Sequence, residues 1–555
     1  MKASGFMKKN SFMEGALIAT LAIVITKILG MIYVIPFYRI IGSQGGALYS
    51  YAYNIYMIFL GVSSAGIPTA ISKIISEYDT LGYKEAKQRS YKIGVKIISY
   101  ISVIAFLVMF IGARAIAYTL VGNLKGGNSI EDVTFVIRCV SFAVLVIPYL
   151  SVTKGFLQGH RIMTPSSVSE VLEQVVRIIV VLLGSYIVYK VFSGSLSLAV
   201  GIAVSGAFFG GLASYIYLKV MMKRHKKELD IRAYEKKDPI RDKTIIKKIV
   251  TYAMPFIVIN VASFVYNYVD MVLIIKGCSI LGFSASDTEF IQSAITTWAS
   301  KICMIITSFS LGMVISLIPN IVNNYVKKDY KGVEDKINNA YETILTISIP
   351  CACGLIILSK YVWQVFYGPS TYGPIILNIL VISTLFNNLY TLTFNAVQSL
   401  NKFKTVYISI IAGFVVNMIL DIPMMLLLDK TPLPSYWGTS VATIIGYSTS
   451  ILIATHELKK WHGLSFKRTF KTVARLLVPS VTMVLVLVIF NHFTNFSFTS
   501  NMSSIIAIVT NMLIGIPVYL GIAYKMNILQ DVFGKEYLNR IIKKLTFGKV
   551  SIIKN

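Results

Sequence analysis

The sequence predicts an all-α polytopic membrane protein with about 14 transmembrane helices. Of its 555 residues, 55% are hydrophobic and only 14% are charged, whereas an ordinary soluble domain has roughly 25% charged residues. Segments long and apolar enough to cross a bilayer recur along the chain. Lysine and arginine collect in every second connector between these segments. No stretch is polar enough to form a separate soluble catalytic domain.

The predicted spans follow one another between polar connectors. The first apolar segment follows Lys8 and Lys9 but lacks the small-residue cleavage site of a signal peptide, so we expect it to remain as a span. An even number of spans places both termini on the same side. The fourteen segments are 13–41, 47–75, 95–120, 132–155, 165–190, 196–222, 247–276, 288–320, 339–360, 373–400, 404–429, 436–458, 473–491 and 503–525.

The distribution of positive charge predicts the orientation. With a cytoplasmic N-terminus, 42 Lys and Arg residues lie on the cytoplasmic side and seven on outer connectors. This bias follows the positive-inside rule, so we expect both termini to be cytoplasmic. The net charge of +28 would suggest nucleic acid as partner in a soluble protein. Here the charge lies next to the bilayer, which indicates anionic membrane lipids as partners and no nucleic acid.

An internal repeat predicts two lobes of six helices. Residues 157–161 resemble residues 397–402 at an offset of 240, and both segments precede another apolar helix. Parallel repeats of this kind occur in transporters that rock two bundles around a central site. The predicted organisation is an N-lobe 1–222, a basic linker 223–246, a C-lobe 247–458, two further spans within 459–525 and a basic tail 526–555.

Three cations inside the spans predict an anion site. Lys27, Arg177 and Lys301 each lie about 12–14 residues into a span, which places them near the bilayer midplane. Lysine and arginine give charge-assisted hydrogen bonds to phosphate or pyrophosphate. An alternative for Arg177 is a helix-local ion pair with Glu173. Arg39, near the outer end of the first span, either snorkels to the interface or lines an outer vestibule.

A second set of polar residues predicts a cation site in the second lobe. Asp270, Asp421 and Thr443 each lie about seven residues from the outer ends of their spans, and Asn417 lies one turn below Asp421 on the same helix face. Carboxylate, amide and hydroxyl oxygens suit a small hard cation, so we expect Na⁺ or H⁺ as coupling ion and no other cofactor. In the alternative interpretation, the two aspartates only accept hydrogen bonds between helices. The five cysteines lack zinc-site spacing and are interpreted as packing residues.

Prolines interrupt the spans that carry these charges. Pro36 and Pro68 lie in spans one and two, and Pro255 and Pro319 lie in the corresponding spans seven and eight. A proline removes a backbone hydrogen bond, so these helices are candidates for bending during a gating motion.

Several motifs resemble a known family. The segments 26–30 (TKILG), 39–42 (RIIG), 47–53 (ALYSYAY) and 66–73 (GIPTAISK) are similar to the opening of the MurJ-like and SpoVB-like flippases. These belong to the multidrug/oligosaccharidyl-lipid/polysaccharide exporter superfamily. The resemblance continues at positions 158–159, 165, 173–177, 255, 270, 417 and 438–443.

The resemblance implies a fold and a substrate. It implies two lobes around a V-shaped cavity, with the last two helices forming a lipid-facing groove. The implied substrate is lipid II, the undecaprenyl-pyrophosphate-linked peptidoglycan precursor, moved from the inner to the outer leaflet of the bacterial cytoplasmic membrane. Lys27 and Lys301 match the family's headgroup-binding positions on helices one and eight. The set of Asp270, Asn417, Asp421 and Thr443 resembles a sodium site found in some members.

These observations predict a transporter and not an enzyme. The leading hypothesis is a monomeric flippase for lipid II or a related lipid-linked oligosaccharide, working by alternating access. A cation-coupled multidrug exporter of the same superfamily is the nearest alternative, although cations near the midplane do not favour it. An integral membrane polysaccharide polymerase is a further alternative, which the short outer connectors disfavour.

Overall fold

The apolar segments of the sequence form long helices in the computed structural model, and no strand occurs in the residues that it describes. These residues are 12–536 and 538–539, apart from 65, 123, 125, 227–228, 230–237, 495 and 498–499. The chain divides by packing into two compact units, 1–298 and 299–555. The predicted division into lobes at the linker 223–246 stays a prediction, and much of that linker lies outside the described residues.

The first unit contains nine helices among its described residues. They are α1 (Phe12–Ile32), α2 (Val34–Ser64), α3 (Ile67–Thr80), α4 (Lys84–Val121), α5 (Ile130–Gly159), α6 (Thr164–Ile179), α7 (Leu196–Arg224), α8 (Asp242–Ile280) and α9 (Ala285–Ser293). Wider π-helical turns extend α6 over Val180–Gly184 and Ile187–Val191, and extend α9 over Ala294–Trp298.

The second unit also contains nine helices in its described part. They are α10 (Ala299–Val326), α11 (Tyr330–Ile357), α12 (Ser359–Tyr367), α13 (Gly373–Ser399), α14 (Phe403–Asp429), α15 (Trp437–His462), α16 (Lys467–Thr494), α17 (Asn501–Lys525) and α18 (Ile528–Phe533).

Most of these helices have the length and composition of membrane spans. Among the described residues, 11 helices are long and apolar enough to cross a bilayer, or 12 if the pair Ile18–Ile32 and Val34–Gly61, bent by 43°, counts as one span. The prediction of an all-α polytopic membrane protein is therefore confirmed. The count of fourteen spans and the cytoplasmic termini stay predictions, and residues 1–11 and 540–555 lie outside the described part.

Two of the four predicted proline bends coincide with helix breaks. Pro36 cannot donate to the carbonyl of Ile32, and the chain changes direction at this point, between α1 and α2. Pro68 lies in the first turn of α3 after Gly66, which has a φ of 79°. A side chain on Gly66 would place its Cβ 2.4 Å from the carbonyl oxygen of Ala253, so only glycine permits this approach of α3 to α8. Pro255, in contrast, lies inside α8 without ending it.

Turns of the same geometry recur in the two halves of the chain. After α5, Arg161 has a φ of 61° and the amide of Ile162 donates to the carbonyl of Leu157. After α13, Asn401 has a φ of 58° and the amide of Lys402 donates to the carbonyl of Val397. Both are helix ends closed by a left-handed residue and a six-residue hydrogen bond. This match at the predicted offset supports the internal repeat.

Candidate functional site

Arg177 lies in an ion pair with its own helix. Its Nη2 donates to Oε1 of Glu173 at 2.7 Å, and both side chains are mostly buried on α6. The alternative predicted for Arg177, a helix-local pair, is therefore present. Its predicted role as a substrate ligand stays a prediction, because the pair shows only where the guanidinium lies in this state.

The pair is part of a larger network that the sequence did not reveal. Lys154 of α5 places its Nζ 3.5 Å from Oε2 of Glu173 and 3.8 Å from Oε1 of Glu170. One lysine, one arginine and two glutamates thus form a cluster between α5 and α6 whose formal charges cancel. Lys154 lies at the edge of a predicted span, where a helix-end lysine is usually solvated. Only the packing of α5 against α6 shows that it turns toward the acids.

An aromatic wall lies beside this cluster. Tyr49, Tyr53 and Tyr56 of α2 line a small cavity of about 20 Å³ together with Arg177. The Nε of Arg177 and the hydroxyl of Tyr56 are buried and have no hydrogen-bond partner among the described residues. A cavity of this size holds about one water molecule. The guanidinium therefore has a donor that Glu173 does not use.

Lys27 lies on the neighbouring helix α1 and is half-buried. No hydrogen bond or ion pair joins it to any residue of the described chain. One turn further along α1, a Cβ on Gly30 would lie 3.4 Å from Nε2 of Gln174, so α1 packs beside the part of α6 that carries the cluster. An ammonium without a partner in an apolar helix is costly, which favours a functional role.

The other two predicted headgroup residues lie elsewhere. Arg39 is exposed on α2, as either of its predicted placements requires. Lys301 is half-buried near the start of α10, in the second compact unit. The structure thus places Lys27 and Arg177 on packed helices of the first unit and Lys301 in the second.

Three members of the predicted cation set lie on two packed helices of the second unit. Asn417 and Asp421, one turn apart on α14, are fully buried. Gly438 of α15 contacts Met425 of α14, and Gly413 contacts Ser450. This antiparallel register places Asp421 level with Ala442 and Thr443. Asp270, the fourth member, is half-buried on α8 in the first unit.

Further hydroxyl groups lie near these residues. Thr443 donates its hydroxyl to the carbonyl of Thr439 at 2.9 Å. The hydroxyls of Thr439 and Ser440 are buried and have no hydrogen-bond partner in the described part of the chain. Both residues lie in the segment 438–443 that resembles the family, but the sequence alone did not single them out. No group of three or more His, Cys, Asp or Glu side chains suited to a metal occurs among the described residues, so neutral oxygens would have to supply most ligands for a cation.

A large apolar cavity occupies the second unit. It has a volume of about 510 Å³ and lies between α11 and α12 on one side and α16, α17 and α18 on the other. Its walls include Pro350, Gly354, Leu487, Gly515 and Tyr519. The cavity is apolar and is bounded in part by the helices that correspond to predicted spans thirteen and fourteen.

Two further clusters in the first unit join α2 and α3 to α8 and α9. The first, the charged seam, consists of Lys73, Glu77, Tyr78, Lys248 and Tyr252. Lys248 Nζ lies 2.5 Å from Oε1 of Glu77 and 4.9 Å from the ring centre of Tyr78. Lys73 Nζ lies 4.1 Å from the ring centre of Tyr252. Each helix therefore presents a lysine to an aromatic ring of the other.

The second cluster, the neutral seam, consists of Ser50, Asn54, Gln292, Thr296 and Thr297. The hydroxyls of Ser50 and Thr297 lie 2.7 Å apart, and Asn54 donates to Thr297 at 3.1 Å. Gln292 donates to Ser50 at 3.3 Å and to Thr296, one turn along its own helix, at 2.8 Å. These uncharged hydrogen bonds join α2 to the end of α9 and its π-helical extension.

Comparison with known proteins relates these features to a family. Residues 12–325 match the family model described as polysaccharide biosynthesis protein, and residues 292–422 match the MatE model. The chain is 31% identical over 538 residues to the lipid II flippase MurJ of Bacillus subtilis (strain 168), covering 95% of this chain and 97% of the relative. It is 23% identical to stage V sporulation protein B of the same organism, over 66% of this chain and 68% of the relative.

Solved structures share the fold. A structure of lipid II flippase MurJ in an inward closed conformation matches with a TM-score of 0.62 and 18% identity, over 92% of this chain and 99% of that one. An inward-facing multidrug resistance MATE transporter matches with a TM-score of 0.62 and 15% identity, over 78% of this chain and 94% of that one. At these identities the matches establish the fold alone.

Proposed function

The chain belongs to the polysaccharide biosynthesis protein family and is a MurJ-like member of the multidrug/oligosaccharidyl-lipid/polysaccharide exporter superfamily, and from this premise we propose that it is a lipid II flippase. It moves this undecaprenyl-pyrophosphate-linked precursor from the inner to the outer leaflet of the cell membrane and makes or breaks no covalent bond. The observation that carries the proposal is the similarity to a lipid II flippase along nearly the whole of both chains.

The cations of the helices fit the headgroup of such a substrate. A pyrophosphate crossing a membrane needs donors that replace its water shell. In the proposal, Lys27, Arg177 and Lys301 supply these donors, and Arg39 receives the headgroup near the outer surface. Lys27 supports this role most directly, because no acid among the described residues neutralises it.

The apolar cavity fits the lipid tail. A polyprenyl chain does not need to leave an apolar environment while its headgroup changes sides. The cavity of about 510 Å³ beside α16 and α17 supports a role for these helices as the groove that holds part of the tail.

The two seams support alternating access. The charged seam joins the end of predicted span two to predicted span seven, and the neutral seam joins predicted span two to predicted span eight. In the predicted topology the charged seam is cytoplasmic and the neutral seam is outer. We infer that each seam opens while the other stays closed, so that the headgroup changes sides without an open pore.

In the proposed cycle, the coupling ion, Na⁺ or H⁺, binds to Asp270, Asn417, Asp421 and Thr443. Anionic lipids contact the basic connectors, and the chain works as a monomer.

A multidrug exporter is the second candidate, because a MATE transporter shares the fold with an equal TM-score. The deciding experiment uses purified protein in liposomes that contain fluorescent lipid II in the inner leaflet. We expect protein-dependent appearance of lipid II in the outer leaflet, measured by its reaction with an impermeant reagent. Export of cationic dyes without movement of lipid II would refute the flippase proposal and favour the exporter.

A further inference from the structure

Glu173 has two cationic partners, and this sets it apart from an ordinary ion-pair carboxylate. One oxygen accepts from Arg177 at 2.7 Å, and the other lies 3.5 Å from Lys154. Lys154 lies 3.8 Å from Glu170 as well. The side chain of Lys154 is 14% exposed and that of Glu173 is 17% exposed, so water does little to replace either partner.

The number of partners decides how readily Arg177 can leave. A buried carboxylate with one cation loses all its compensation when that cation turns away, which opposes the release. A carboxylate between two cations keeps one of them. The Nζ of Lys154 lies 3.5 Å from Glu173 and 3.8 Å from Glu170, longer than a direct hydrogen bond. It can therefore move nearer to Glu173 when Arg177 moves away. Lys154 therefore lowers the free-energy cost of releasing Arg177.

Arg177 also has unused binding capacity. A guanidinium carries five N–H donors. Arg177 lines the small cavity with the tyrosines, and its Nε is buried without a hydrogen-bond partner among the described residues. The side chain of Arg177 is 22% exposed, so it is not sealed from ligands. A phosphate oxygen would accept from such donors more strongly than a neutral group.

We propose that Lys154 is a positioning residue for the headgroup site. It forms the ion pair with Glu173 when Arg177 turns to the pyrophosphate of the substrate, and Arg177 replaces it at Glu173 when the pyrophosphate leaves. The exchange transfers no proton and breaks no covalent bond. This inference rests on the proposed function, since it needs a substrate with a phosphate group. It adds to that function a residue that does not itself contact the substrate.

The test measures the affinity of the purified full-length protein for undecaprenyl pyrophosphate. In K154Q, Arg177 is the remaining cationic partner of Glu173 and is harder to release. We expect the Kd to rise about tenfold, which corresponds to about 1.4 kcal/mol of binding free energy. In E173Q, Arg177 is released and binding should equal or exceed that of the wild type. In the double variant K154Q/E173Q no carboxylate holds Arg177, so affinity should return to at least the wild-type level.

This rescue separates the proposal from a merely structural role. If Lys154 only stabilised the packing of α5 on α6, the double variant would bind no better than K154Q. K154R, which keeps the charge, should bind like the wild type. K190Q is the matched control, because Lys190 follows Arg177 in the same predicted span but is exposed and contacts the ring of its neighbour Tyr189. Thermal unfolding of each variant checks that it is folded.

A double-mutant cycle gives a second measurement. In an R177Q background there is no guanidinium to release, so K154Q should have no further effect, whereas the effects of K27Q and K154Q should add. Wild-type affinity in K154Q, or no rescue in K154Q/E173Q, would overturn the inference while leaving the proposed function intact. Failure of the wild type itself to bind undecaprenyl pyrophosphate would refute both.

Discussion

Lys27, unlike Arg177, has no ion pair among the described residues that must break before it can bind the proposed substrate. Among the described residues it makes no ion pair, whereas Arg177 is held by Glu173. Two cations of one proposed site therefore respond differently to substitution. The sequence predicted both positions from their depth, and it also offered the Glu173 pair, because residues four apart share a helix face.

Replacing Lys27 or Lys301 by alanine should abolish transport. Each change removes a charge-assisted hydrogen bond worth about 2 kcal/mol, and the site must compensate a doubly charged group. R177A should be milder, because Arg177 is already paired. Complementation of a flippase-deficient strain, at equal membrane expression, measures the effect. Full complementation by K27A/K301A would show that the headgroup binds elsewhere.

Asp421 is expected to control the response to sodium. It is fully buried on α14, and a buried carboxylate is stabilised by a bound cation. D421N should reduce the dependence of transport on sodium more than it reduces lipid II binding, in assays that vary sodium at several fixed pH values. D429N, at the exposed end of the same helix, is the control. Wild-type sodium dependence in D421N would show that Asp421 and its neighbours have a structural role and do not bind the coupling ion.

Among the helices, the seams offer the clearest test of the transport cycle. A short thiol cross-linker in E77C/K248C, with the native cysteines replaced, should hold the charged seam closed and stop transport until the link is cleaved. The matched control is Y91C/T153C, where the hydroxyls of α4 and α5 lie 3.1 Å apart within one predicted lobe. That link should leave transport unchanged. Normal transport by cross-linked E77C/K248C would mean that the seam does not open.

The apolar cavity of the second unit predicts a further effect. Gly354 of α11 lines the cavity, and a Cβ there would meet nothing within 4 Å. G354F should therefore fill part of the cavity without strain, slow the movement of lipid II and leave short-chain analogues less affected. G112F is the control, because Gly112 on α4 has equally open space but lies outside the cavity. Equal effects of G354F and G112F would show that the cavity does not bind the lipid tail.

The sequence predicted the helices better than their contacts. Apolar length predicted the long helices, while the count of fourteen spans stays a prediction. Pro36 and Pro68 predicted two helix breaks, because a missing amide donor is a local property. Pro255 predicted a bend in α8 that does not break the helix. Lys154 was missed because its role depends on which helix packs beside it. The buried hydroxyls of Thr439 and Ser440 were missed for the same reason.

For the whole molecule, the charge asymmetry predicts the topology. With the native cysteines replaced, a cysteine at Ser497 should react with an impermeant thiol reagent added outside intact cells, because 492–502 is an outer connector in the fourteen-span prediction. A cysteine at Lys331, in a basic connector, should react only after the cells are permeabilised. Both positions are exposed. Labelling of position 331 in intact cells would overturn the predicted orientation.

The two seams also differ in how dissolved ions reach them. The side chains of Lys248 and Glu77 are 29% and 32% exposed, so mobile ions screen their attraction over a Debye length of about 8 Å at physiological ionic strength. Ser50 and Gln292 are fully buried and uncharged, so screening does not weaken their hydrogen bonds. If the seams open in turn as proposed, a rise in ionic strength on the side of the charged seam should weaken that seam more than the neutral one. The proposed cycle therefore predicts that salt on one side of the membrane favours opening toward that side.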